Sequence, residues 1–392
     1  MNILIYSTRL DTGGIAPVSS FLANAWIEKG HKVAIAVLGI ITDDVREKLH
    51  PSIPVYVIKF GENGKSFTTQ LKDILHNEKT ELVINQYGLP WKPAKILYEA
   101  SRKLDVKKIA VYHSDPSANA RLTCIDKELE KPNGIIKRAF LNIKRWGLYQ
   151  VTRKSMRYVY NRSDAYVLLS PVFRKKFSEF TGVKTPKKLF AIPNPVTLQN
   201  TNDWQLESKE KMVLYVGRVD TTVKRVDRVI QVWRLIEKDN PDWRLVVVGD
   251  GEGLEEIKKL SERYELKRVS FEGFRDPTEY YKKASILLLT SDFEGFGLVL
   301  VEGMSFGVIP VAYGSYDSVF DIIQDGHNGF VIMPVDGRFS EESMATRVVH
   351  LIKDKDLRDK MTANAVNISN LFSKESILTM WEDLFETLKL NN

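Results

Sequence analysis

The chain has 392 residues, room for two to three domains at ~150 residues each, and its 43% apolar and 27% charged content is ordinary for a globular protein. A lone small binding module is therefore excluded. The single cysteine, Cys124, and six scattered histidines argue against a disulfide framework or a structural metal site. The formal charge of +7 is local: residues 131–163 hold nine Lys or Arg and no Asp or Glu, which leaves 48 basic against 50 acidic residues elsewhere. That distribution speaks against a nucleic-acid partner.

No apolar run reaches the ~18 to 20 residues of a membrane-spanning helix, and the opening MNILIYSTRL lacks the regions of a signal peptide. The expectation is a cytoplasmic protein. Along the chain, strands are predicted at residues 2–7, 32–38, 55–60, 82–87, 108–112 and 165–170, with helix-patterned stretches between them. The series restarts at 212–217, 244–249, 269–273, 286–290, 309–313 and 329–332. Near-continuous apolar strands alternating with helices predict parallel sheets covered on both faces. Two such series predict an α/β chain of two doubly wound domains.

The polar stretch Leu198 to Lys211, after the rigid IPNPV, is the expected boundary. It gives an N-terminal domain over 1–198, a second over 199–372, and a terminal segment, 373–392, with Ile377, Met380, Trp381, Leu384, Phe385 and Leu388 at helical spacing. Ligands of such sheets bind beyond the carboxyl ends of the strands, so two facing sheets predict an interdomain cleft, closed by a hinge at the boundary.

The first strand is followed by Gly13 and Gly14, then a helix expected from near Pro17 to Gly30. Paired glycines let a backbone approach a phosphate at a helix N-terminus, although a plain strand-to-helix turn reads the same way. His113 ends a later strand in VYHSD, where it serves either packing or a ligand. In the second half, Arg218 lies just beyond a strand and Lys224 six residues on; the pair fits a diphosphate or a solvated surface. Gly249, Gly251 and Gly253 lack the third glycine of a dinucleotide fingerprint and read mainly as turn residues.

The richest stretch is TSDFEGFGLVLVEGMSFGVIPVAYG. Glu294 and Glu302 stand eight residues apart, one in a glycine turn and one inside the next helix. Carboxylates accept from paired sugar hydroxyls, while amides near Gly297 and Leu298 suit a phosphate or sugar. Asp354 and Asp356, in a Lys-rich helical stretch, are not read as a metal site.

The spacing of Glu294 and Glu302, the Arg218 and Lys224 pair, the Gly13–Gly14 turn and VYHSD together resemble the family-4 retaining glycosyltransferases of the GT-B fold, over nearly the whole chain. The resemblance implies two Rossmann-like domains, the second binding a nucleotide-sugar donor and the first an acceptor. It implies that Glu294 contacts the donor sugar, Glu302 the ribose, and Arg218 and Lys224 the diphosphate. Gly13 and Gly14 would approach the phosphates or donor sugar, His113 would lie near donor sugar and acceptor, and Phe274 would mark where the backbone reads the base. The terminal helix would cross back to the first domain.

The family's common AMACGTPV is GMSFGVIPV here, which leaves sugar identity open. GSYDSVFDII resembles bacterial surface-polysaccharide members. The implied activity is transfer of a sugar, from a UDP-sugar, to a cell-surface glycan or lipid-linked acceptor, with retention and without metal or other cofactor. An epimerase or phosphorylase fits the glutamate spacing less well, and an inactive partner subunit would be expected to lose the charged donor residues. Between Ile135 and Trp146, a helical projection sets Ile135, Ile136, Ala139, Phe140, Ile143 and Trp146 opposite Lys137, Arg138, Lys144 and Arg145. That pattern suits either a core-facing helix or a contact of residues 131–163 with the anionic inner face of the plasma membrane.

Overall fold

The structure is a computed structural model that describes all residues except 12, 62–63, 118–119, 133, 199–204 and 391–392. The described chain divides into two compact units, Met1–Asn194 with Ile377–Asn392, and Pro195–Ser376. Part of the boundary stretch named from sequence, residues 199–204, lies outside the described residues.

Unit 1 holds strands β1 (Asn2–Ser7), β2 (Lys32–Val37), β3 (Val55–Val57), β4 (Leu82–Asn85), β5 (Lys107–Tyr112), β6 (Ala165–Leu168) and β7 (Leu189–Ala191). Their order is β3-β2-β1-β4-β5-β6-β7, all parallel. β7 was not among the strands expected from sequence. Helices α1 (Ile15–Glu28), α2 (Asp43–Glu47), α3 (Phe67–Asn77), α4 (Trp91–Ala100), α5 (Ala120–Glu130), α6 (Ile135–Arg162) and α7 (Phe173–Thr181) connect them. The interior strands are buried on both faces: every residue of β4 and β6 is inaccessible or nearly so, which is why they read as unbroken apolar runs.

Unit 2 repeats the plan with β8 (Met212–Val216), β9 (Arg244–Val248), β10 (Val269–Gly273), β11 (Ile286–Leu289), β12 (Ile309–Tyr313) and β13 (Phe330–Ile332), ordered β10-β9-β8-β11-β12-β13. Its helices are α8 (Val226–Arg234), α9 (Leu254–Arg263), α10 (Thr278–Lys283), α11 (Leu298–Ser305), α12 (Val319–Ile322), α13 (Glu341–Lys353) and α14 (Lys355–Ser369). On α8 the buried residues Val226, Val229, Ile230 and Trp233 recur at the three- and four-residue steps of one helix face and join the core beneath β8, β9 and β11. Each sheet is doubly wound, with its order reversing between β1 and β4 in unit 1 and between β8 and β11 in unit 2. Asp354 is a helix cap: its carboxylate accepts from the Leu357 N–H at the start of α14.

The last helix, α15 (Lys374–Thr387), packs in unit 1, where Trp381 meets Trp26 edge to face at 5.6 Å and Phe385 lies 6.0 Å from the same ring.

Candidate functional site

A crevice beyond the carboxyl ends of β8 and β11 is expected where the order of the unit 2 sheet reverses. The turn after β8 is built around Asp220, which is fully buried. One carboxylate oxygen accepts from the backbone N–H groups of Thr222, Val223 and Lys224 at 3.0, 2.6 and 2.9 Å. The other accepts from Arg218 Nε at 2.9 Å. Burial pushes the Asp220 carboxyl up, but the backbone N–H groups of Val223 and Lys224 and the Arg218 guanidinium outweigh it and hold its pKa below the ordinary value. One buried carboxylate thus shapes the turn that carries both cations and aims one of them. The Tyr215 hydroxyl fixes the same turn by donating to the Arg218 carbonyl at 2.9 Å.

The turn after β11 carries Glu294. Its Oε1 accepts from Lys224 Nζ at 2.6 Å and from Ser291 Oγ at 2.7 Å. The two turns are stitched together: Asp292 N–H donates to the Val223 carbonyl at 2.8 Å, and Thr290 Oγ1 to that of Arg225 at 2.9 Å. Beneath them Arg228 reaches Asp292 at 2.5 Å and the Thr290 carbonyl at 3.0 Å, with its guanidinium over the rings of Tyr313 and Phe339. Arg225, in the left-handed region at φ 54°, bridges Asp227 and Asp292. These contacts hold Lys224 and Glu294 in register with each other.

Gly297, at φ 92°, turns the chain into α11, so that Leu298 opens the helix with its first-turn amides unspent by the helix itself. Glu302 lies one turn inside α11, buried, and accepts from Thr197 Oγ1 at 2.6 Å. Gly249, Gly251 and Gly253 do more than turn. A Cβ on Gly249 would stand 1.8 Å from the Gly217 carbonyl oxygen and one on Gly251 2.4 Å from that of Val219, so these positions let the loop after β9 press against the Arg218 turn.

The structure therefore gathers Arg218, Lys224, Glu294, Gly297 and Leu298 around the ends of β8 and β11. Phe274 follows the edge strand β10, two strands from β8, with its side chain 81% exposed. Gly13, Gly14 and His113 belong to unit 1. Gly13 is exposed at φ 85° and Gly14 precedes α1, which starts at Ile15, two residues before Pro17. His113 Nε2 meets Gln86 Oε1 at 2.7 Å, so Nε2 carries the proton and Nδ1 is the bare nitrogen. Burial lowers the His113 pKa to about 4.

Sequence reasoning did not find Asp220, Ser291, Thr197, Tyr316 or the Arg225–Asp292–Arg228 set. Only an acidic residue two positions after Arg218 hinted at the first. Among the described residues no three His, Cys, Asp or Glu side chains cluster as metal ligands.

Comparison with known proteins places the chain in a class. The Glycosyltransferase Family 4 profile matches residues 12–200 and the Glycosyl transferases group 1 profile residues 198–367. The chain belongs to the family-4 glycosyltransferases of the GT-B fold. It is 30% identical over 198 residues to an uncharacterized glycosyltransferase of Haemophilus influenzae, covering 50% of this chain and 54% of that one. It is 29% identical to the poly(glycerol-phosphate) alpha-glucosyltransferase of Bacillus subtilis, over 44% of this chain and 25% of the relative. Thus it spans between a quarter and about half of the length of these relatives. The N-acetyl-alpha-D-glucosaminyl L-malate synthase of Bacillus anthracis matches at 23% identity over 95% of this chain and 93% of its own.

Among solved structures, Anabaena HepE in complex with UDP and glucose shares the fold with a TM-score of 0.74 at 18% identity, covering 99% of each chain. The pneumococcal O-GlcNAc transferase GtfA, in complex with UDP and GlcNAc, does so with 0.76 at 11% identity, covering 100% of each.

Proposed function

We propose that the protein transfers a sugar from a nucleotide-sugar donor, a UDP-sugar, to a cell-surface glycan or lipid-linked acceptor, with retention of anomeric configuration and without a metal. The observation that carries the reading is the convergence of Arg218, Lys224 and Glu294 beyond β8 and β11. Two cations a few residues apart match a diphosphate, Arg218 by its planar fork and Lys224 as a point charge. As the donor bond breaks, negative charge grows on the leaving diphosphate, and fixed cations lower that barrier without a covalent intermediate. Glu294 then serves the sugar hydroxyls, the Gly297 and Leu298 amides the sugar or phosphate, and Glu302 the ribose. Phe274 marks the base end, while Gly13, Gly14 and His113 belong to unit 1, to which the acceptor is assigned.

The relatives' names support the substrate classes. One is the poly(glycerol-phosphate) glucosyltransferase above; another, from Campylobacter jejuni, is an N-acetylgalactosaminyltransferase whose acceptor is an undecaprenol-diphosphate glycan. Among the described residues no helix is long and apolar enough to cross a membrane. We place the protein in the cytoplasm, at the inner face of the plasma membrane, held by the exposed apolar stripe and cations of α6.

The test is release of nucleotide from a panel of nucleotide sugars, with the anomer of the product read by NMR and EDTA present throughout. Arg218→Ala and Lys224→Ala should each lower turnover at least ~100-fold, about 2.7 kcal/mol of transition-state stabilisation. Wild-type rates in both variants, an inverted anomer, or activity abolished by EDTA and restored by Mn²⁺ would each defeat the corresponding part of the proposal.

A further inference from the structure

Tyr316 lies in the turn after β12, and two neighbours tie that turn to the segment around Glu294. Ser315 Oγ donates to the Ser291 carbonyl at 2.5 Å and Ser318 Oγ to the Gly295 carbonyl at 3.3 Å. The Tyr316 hydroxyl oxygen stands 2.9 Å from where a Cβ on Gly297 would sit. The residue is 3% exposed and the hydroxyl has no hydrogen-bond partner. A buried hydroxyl left unmet is costly, and phenylalanine would fill the same space without that cost. A buried, unpartnered hydroxyl is better satisfied in another arrangement of the site that gives it an acceptor.

Glu294 supplies that arrangement. In the resting site both of its donors, Lys224 and Ser291, meet the single oxygen Oε1. A diphosphate brings at least two negative charges, and Lys224, with its side chain 25% exposed, cannot serve it fully while it is spent on Glu294. When lysine leaves, the carboxylate loses the charged donor it has among the described residues, in a largely buried place. The terminal torsion of a glutamate is soft, so Glu294 can turn to a new donor.

We propose that the Lys224–Glu294 pair is a resting contact, and that when an anionic diphosphate draws Lys224 away the Tyr316 hydroxyl donates to Glu294 in its place. This deepens the donor-site reading and rests on it. Tyr316 is thus a positioning residue: it keeps Glu294 oriented toward the sugar after its cation has been claimed by the phosphates. Burial, with the Glu294 charge adding to it, raises the Tyr316 pKa well above the ordinary tyrosine value, so the hydroxyl stays a donor at any working pH.

The test is a thermal-unfolding cycle without nucleotide on wild type, Tyr316→Phe, Lys224→Gln and the double variant. Tyr316→Phe alone should leave Tm unchanged or raise it, because the hydroxyl is unpartnered at rest. In the Lys224→Gln background, where Glu294 is already released, the same change should lower Tm by about 3 °C. Additive effects, or a clear loss of Tm in Tyr316→Phe alone, overturn the proposal. A second arm measures affinity for whichever of UDP, GDP or ADP the wild type binds best. Tyr316→Phe should weaken it about ten-fold, and unchanged affinity also overturns the proposal. Wild-type affinity in Lys224→Gln would instead remove the donor-site reading, leaving the unfolding cycle to stand by itself.

Discussion

At the scale of residues, charge is organised by buried acids. Arg218 and Lys224 are recognisable from spacing after a strand, but Asp220, which shapes their turn, and Ser291 and Tyr316, which surround Glu294, take their meaning from contacts between turns that are distant in sequence. Spacing along the chain carries no trace of such contacts. His113 shows the complementary case, a group kept neutral by burial. Its imidazole takes a proton near pH 6.5 in the unfolded chain but only near pH 4 when folded. The unfolded state therefore binds more protons between these values, and the contribution to stability is full above about 6.5 and lost as pH falls through 4. At about 1.4 kcal/mol per pH unit, urea unfolding should show roughly 3 kcal/mol less stability at pH 4 than at pH 7 from this group. His113→Gln, which keeps a polar amide without a titrating nitrogen, should flatten that part of the pH dependence; an unchanged slope would mean the imidazole is not the group responsible.

At the scale of elements, the strands were legible because buried parallel strands leave continuous apolar runs, and among the described residues only β7 escaped. For helix α6 the sequence left two readings, and the structure removes the core-facing one. Ile135, Ile136, Phe140, Ile143 and Trp146 are 63 to 89% exposed, so this stripe does not face the core. No acid lies within residues 131–163, but α5 supplies acids from outside the window: Asp126 pairs with Arg145, and Glu128 with Lys131 and, at 3.9 Å, Lys137. The contact of Glu128 with Lys131 holds its carboxyl pKa below the ordinary value. Two of the nine positive charges of residues 131–163 are thereby offset locally, so the membrane proposal draws on the exposed apolar stripe as well as on the remaining cations. Each apolar side chain taken from water is worth roughly 1.5 to 3 kcal/mol, against ~1 kcal/mol for a cation near anionic lipid. Sedimentation with vesicles should therefore require anionic lipid but fall more for Ile136→Ser with Phe140→Ser than for Arg138→Gln with Lys144→Gln. Trp146 emission should shift to the blue on binding. Equal sedimentation of all variants would take α6 out of the membrane proposal.

At the scale of the whole molecule, two repeats of one sheet plan were readable from the alternation of runs, but the discontinuity of unit 1 was implied only by the family resemblance, because helical spacing near the terminus marks a helix and not the unit it joins. The chain completes unit 2 before it supplies α15, so the last helix of unit 1 arrives after some 180 residues of another unit. Trp26 of α1 is almost fully buried, and both Trp381 and Phe385 pack on its ring, with Lys29 and Glu382 paired at 3.0 Å beside them. Truncating a buried tryptophan to alanine typically costs ~3 to 5 kcal/mol, because lost transfer energy is joined by the cavity left behind. Trp381→Ala should therefore destabilise unit 1 by about that amount, while unit 2, whose core is built from its own strands and helices, keeps its stability. Hydrogen exchange resolves the two: amides of β1, β2 and β4 should lose protection in the variant, and those of β8, β9 and β11 should exchange as in wild type. Loss of protection spread equally over both sheets would show that α15 supports the two units together, and a loss confined to unit 2 would assign the helix to the other core.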